Sequence, residues 1–160
     1  MDAVVAGGRN YISRDESEEL IATDHTWAAA LLPLVERAGV TTNYLRTVRA
    51  DLDAARRMAA GEVLSDAELA AVGASLVDPK VRETLIRTVG SGEEPQDDRL
   101  WLLLSRVLIG PWRCQALMLV ATAALVRGEG QLAETALLAA TEDLADAWES
   151  QNGQGDGSDE

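Results

Sequence analysis

A thiol beside an imidazole is the simplest nucleophile a protein can build, and this chain has one residue of each kind, Cys114 and His25. Their surroundings argue against the pairing. Cys114 lies inside an unbroken apolar run, where a thiol is inert packing. His25 follows Asp24 at the start of a helical pattern, where a role in the first turn is ordinary. A single Cys and a single His also exclude a multi-thiolate zinc site and an HExxH helix. There is no Gly-rich phosphate loop and no GxSxG turn. The sequence therefore predicts no catalytic residue set, no metal site and no cofactor, and the chain is expected not to be an enzyme.

Three other groupings bring chemistry-bearing side chains together. Glu142, Asp143, Asp146 and Glu149 recur three and four residues apart, so they share a helix side, and Glu134 stands eight residues before Glu142. Such a side solvates a helix or docks a basic partner, and Glu134, Glu142, Asp146 and Glu149 are its expected contact residues. Arg46, Arg49, Arg56 and Arg57 share one side of a helix over residues 43–59, with Asp53 among them and Asp51 off it. That side is the alternative site, for a small anion or nucleic acid. Trp101, Arg106, Trp112 and Arg113 flank the Gly110-Pro111 break, where cation–π contact could shape a pocket.

The elements that must position these groups are all helical. Ser13-Arg14-Asp15-Glu16 and Ser65-Asp66-Ala67-Glu68 are capping boxes. Asp24 caps a helix whose apolar stripe is Trp27, Ala30, Leu31, Leu34, Val35 and Ala38, with a kink or break expected at Pro33 and a stop at Gly39. Thr42 is expected to cap the next, with Leu45, Val48, Leu52, Ala55 and Ala59 in its stripe. Asp78-Pro79 starts another, closed by Gly90. Residues 91–96 read as a loop. Asp97 or Asp98 then opens a helix bearing Leu100, Leu103, Leu104, Val107 and Leu108. The helix from about residue 111 to 127 is apolar nearly all round and belongs in the middle of a domain. In the last, from about residue 131 to 149, Leu132, Ala136, Ala139, Ala140, Leu144 and Trp148 are expected to face the core. No strand pattern stands out, although residues 3–6 would suit one. The fold class is all-α: seven to eight helices in stacked αα-hairpins, the last hairpin like that of a tetratricopeptide repeat. Residues 1–149 form one domain, and 150–160 an acidic tail expected to be disordered.

Charge and hydropathy set the expected surroundings. Net charge is −13, and residues 129–160 hold nine acids and no base. That excess opposes phosphate backbones, so nucleic acid is the less favoured partner. The longest charge-free apolar stretch, residues 114–126, is 13 residues long, against roughly 20 for a membrane span. With no basic leader at the start and one unpaired Cys, the expected compartment is the cytoplasm.

The stretch WRCQALMLVATAALVRGEGQLAETALLAA resembles the C-terminal part of an actinobacterial family, domain of unknown function 4192. Gly128, Glu129, Gly130, Leu132, Ala133, Ala136 and Leu137 match its Gly-acid-Gly turn and LAxxALxxA helix. Residues 6–9 and Ser13-Arg14-Asp15 look like the family's Ala-Gly-Arg turn and helix start, and DPKVRETLI at 78–86 resembles a segment between them. The likeness spans most of residues 4–145. It implies an all-α fold, an actinobacterial source and the helical half of a longer family pattern, and it carries no activity. The expectation that follows is a non-enzymatic domain working by protein–protein contact, with the acidic C-terminal hairpin as its surface, an unidentified basic protein as partner, no membrane, and a homodimer left open.

Overall fold

The computed structural model describes residues 12–39, 43–92 and 97–157, and these contain eight helices and no strand. They are α1 (Arg14–Leu20), α2 (His25–Ala38), α3 (Tyr44–Ala59), α4 (Asp66–Ser75), α5 (Pro79–Ser91), α6 (Arg99–Val107), α7 (Gly110–Arg127) and α8 (Gly130–Gly157). The strand option at residues 3–6 and the Thr42 cap lie outside the described residues. The third helix is instead capped by Asn43, whose side chain accepts from the Arg46 amide at 3.1 Å.

Local chemistry sets most of the boundaries. Both capping boxes form, at Ser13/Glu16 and Ser65/Glu68. Asp24 accepts from the Trp27 amide, and Asp78 caps a helix that begins with Pro79. α2 runs unbroken through Pro33. Proline leaves the Ala29 carbonyl without its helical donor, and Ala29 is exposed, on the side of the helix where that loss costs least. α5 passes Gly90 and stops at Gly92, whose left-handed φ of 75° a residue with a side chain rarely adopts.

α7 is the centre of the packing. Leu117, Leu119, Val120, Ala121, Ala123 and Ala124 are all buried, and α4, α5, α6 and α8 pack around them. Sequence neighbours pair at α6/α7 and at α7/α8. Earlier in the chain the helices interleave: α2 lies on α4 and α6, and α3 lies on α5 and α6. The Trp27 indole N–H donates to Asp66 at 3.2 Å and ties α2 to the start of α4. The chain closes on itself, because α1 packs against α8.

Close approach has a measurable consequence at Gly73. A Cβ there would lie 2.9 Å from Leu108 Cδ2 and 3.2 Å from Cδ1, and Leu108 is only 2% exposed. Helix propensity favours Ala over Gly by about 1 kcal/mol. Overpacking against a buried side chain costs about 1–3 kcal/mol, so Gly73→Ala is expected to lower stability in urea unfolding. A more stable variant would mean that Leu108 can move aside.

Candidate functional site

α8 carries the acids that the sequence singled out, and packing decides which way they point. Leu132, Ala136 and Ala140 step along one line into the core, and the half-buried Asp143 continues it. Glu134, Glu142, Asp146 and Glu149 are exposed. Leu144 and Trp148, expected to face inward, do not: they are 59% and 67% exposed. One cause is shared by both, and a second applies only from Trp148 onward. They lie off the core-facing line, in register with exposed Leu137 and Thr141. α8 also has 28 residues against the 18 of α7, so it outruns its partner by roughly 15 Å. Its helix continues to Gly157, past the expected end at Glu149. Of the expected acidic tail, residues 158–160 lie outside the described residues.

The inner edge of this surface is fixed by Arg113, whose side chain is 13% exposed. Its guanidinium donates to the Ser105 carbonyl at 2.9 Å, the Ile21 carbonyl at 2.9 Å and Asp143 at 2.8 Å. One side chain thus fastens α7 to the ends of α1 and α6 and to α8. Beside it lies a cleft of about 230 Å³ between α1 and α8, lined by residues that include Arg14, Glu18, Thr135, Leu138 and Glu142. On the other flank of α8 a shallow groove of about 310 Å³ is lined by Leu125, Ala133, Leu137, Leu138 and Thr141. Leu138, 47% exposed, borders both.

The remaining candidates are scattered. Trp101 is buried in the core and Trp112 is half-buried against it. Arg106 donates to the Ala22 carbonyl at 3.1 Å and lines a different hollow, with Ile12, Leu20, Met58 and Leu102. Trp101, Arg106, Trp112 and Arg113 therefore do not line a common pocket. The cation–π contact among the described residues is between Lys80 and the Tyr44 ring, at 5.6 Å. Of the arginine group, Arg46, Arg49 and Arg56 are exposed, whereas Arg57 pairs with Glu62 at 2.9 Å and with Glu68 at 2.5 Å. The Glu68 and Glu62 carboxylates hold the Arg57 guanidinium above its ordinary range. The thiol of Cys114 is buried, near the Ala140 carbonyl, and burial pushes it up; His25 is exposed at the surface. They do not form a nucleophile pair.

One polar group escaped the reading of the sequence. Asp51 is 3% exposed and meets the Ser75 hydroxyl at 2.6 Å. The buried side of α3 is Val48, Asp51 and Ala54, while Leu45 at the edge of the expected stripe is 61% exposed. The signal was present: an acid placed three residues after Val48 and four before Ala55 sits on the apolar side.

Among the described residues no group of three or more His, Cys, Asp or Glu could hold a metal ion, and no helix is long and apolar enough to cross a membrane. The model of one protein family, a domain of unknown function (DUF4192), matches residues 1–144. The chain belongs to that family. Searches of curated proteins and of solved structures give no match.

Proposed function

We propose that this family member works by protein–protein contact through the exposed side of α8, with Glu134, Glu142, Asp146 and Glu149 drawing in a basic partner. One observation carries the reading: large apolar side chains stay exposed on α8 beside acids, in a stretch that holds no base. The sharing of charge supports it further. The bases beneath this surface are spent on structure, Arg113 on two carbonyls and Asp143, and Arg127 on Asp98 and Glu129. The outward acids therefore set the local potential, and a partner steered by it binds more weakly as salt rises.

The test compares the chain with its Glu142→Gln/Asp146→Asn/Glu149→Gln variant, both immobilised in the same host extract at low and at high salt. A partner retained by the unmodified chain at low salt should be lost at high salt and by the variant. Retention by the variant at both salts would remove the acidic side from the contact.

A further inference from the structure

We propose that the cleft between α1 and α8 takes a lysine side chain of the basic partner, its aliphatic stem between the two walls and its ammonium at Glu142. This deepens the reading above and rests on it. Ile21 and Ala22, just past the end of α1, face Leu138 and Ala139 of α8 across a space of about 230 Å³. Sites for drug-sized molecules measure roughly 300–1,000 Å³, so this one suits a single side chain. Each wall also carries a carboxylate, Glu18 on α1 and Glu142 on α8. A long unbranched stem that ends in a cation matches apolar walls with acids at their edge. The ammonium is the more compact of the two basic head groups, which suits a space this small.

Charge favours a cation there. Two arginines line the cleft as well, but each already faces an acid: Arg113 meets Asp143 at 2.8 Å, and Arg14 meets Glu18 at 3.1 Å. Glu142 makes no ion pair among the described residues, so the cleft holds one acid in excess. Asp146 and Glu149 follow Glu142 at intervals of four and three, which keeps them on its side of α8 and carries the excess outward. Arg14 opposes entry, but its side chain is 70% exposed and can turn to water. A second copy is a poor source of the cation, because the chain's single lysine, Lys80, lies over the Tyr44 ring at 5.6 Å. The acids then steer the partner in, and burial of the stem holds it.

The probe is a synthetic peptide alternating Lys with Ser. Its control replaces each Lys by diaminobutyric acid, which keeps the charge and shortens every stem by two methylenes. Both are titrated against the whole chain by calorimetry at about pH 6, where the amines are charged, with spermidine as a free polyamine beside them. The lysine peptide should bind about tenfold more tightly than the short-stemmed one. Ala22→Leu, at an exposed position in one wall, and Ala139→Leu, in the wall opposite, narrow the cleft and should erase that difference with the helical circular dichroism spectrum unchanged. Arg14→Gln should tighten the lysine peptide, and Glu142→Gln weaken it, each by roughly two- to fivefold, the scale of an exposed pair. If the two peptides bind alike and only the Glu142→Gln/Asp146→Asn/Glu149→Gln variant weakens them, the lysine cleft is overturned while the acidic contact surface stands. Failure of both peptides to bind also overturns it. Spermidine binding more tightly than the lysine peptide overturns it in favour of a free polyamine.

Discussion

Replacing Asp51 by Asn is expected to stabilise the protein at neutral and alkaline pH and to flatten its stability between about pH 4 and 7. The reason lies in one proton. The Ser75 hydroxyl is 2.6 Å from Asp51 Oδ2 and 2.7 Å from the Val72 carbonyl oxygen, and it can donate to only one of them. When Asp51 is neutral, its own O–H donates to Ser75 and Ser75 donates to Val72, so each contact has a proton. When Asp51 is ionised, Ser75 must turn to it and leave the carbonyl, and a charge stands in the core. Burial is the larger influence and pushes the Asp51 carboxyl up to about 7; the Ser75 hydrogen bond opposes it.

The sign follows. The acid is protonated in the fold at a pH where the unfolded chain has released its proton. The stabilisation is complete below about pH 3.8, declines as pH rises, and is lost above about pH 7. The span between those two values corresponds to roughly 4 kcal/mol at its ceiling. Asn keeps the donor and never ionises. Urea unfolding of both proteins at a series of pH values gives the difference curve, in which the other carboxylates cancel. It should widen from pH 4 to 7 and level off above. Parallel curves would show that Asp51 is ionised in the fold throughout.

What the sequence made legible follows the range of each interaction. Caps act over three residues, so Ser13, Asp24, Ser65 and Asp78 could be assigned from their neighbours alone. The burial of α7 was readable because nearly every position is apolar, so no choice of face was needed. Faces failed where a face had to be chosen. Asp51 masked the buried line of α3, and the outer half of α8 offered Leu144 and Trp148 as core residues although no helix among the described residues covers them. Long-range charge pairing was beyond reach. Nothing local tells that Arg113 serves α1, α6 and α8 together. The acidic side of α8 was legible by spacing, but the exposure of Leu137, Leu144 and Trp148 needed the fold, since exposure is a property of what packs nearby.

Asp98 is the clearest case of a local role displaced by a distant one, and it leads to the other large effect, at Arg127. Asp98 stands at the N-cap of α6 yet makes no side-chain cap. Its carboxylate, 4% exposed, instead accepts from Arg127 at the end of α7 at 2.6 Å. Glu129, 2% exposed in the turn before α8, also pairs with Arg127. Burial draws the Arg127 guanidinium down, but the two carboxylates outweigh it and hold the group above its ordinary range. A cation shared by two buried acids joins α6, α7 and the start of α8. Arg127→Met keeps the stem and removes the charge, so both acids lose this partner in a place with little water. The expected cost is about 3–5 kcal/mol, the usual result of breaking a buried pair from one side. Adding Asp98→Asn and Glu129→Gln to the same variant should recover most of that loss, because neutral amides bear burial far better than carboxylates. Urea unfolding of the single, double and triple variants measures both effects. A loss below about 1 kcal/mol for Arg127→Met, the scale of an exposed pair, would show that water or neighbouring groups already satisfy the two acids.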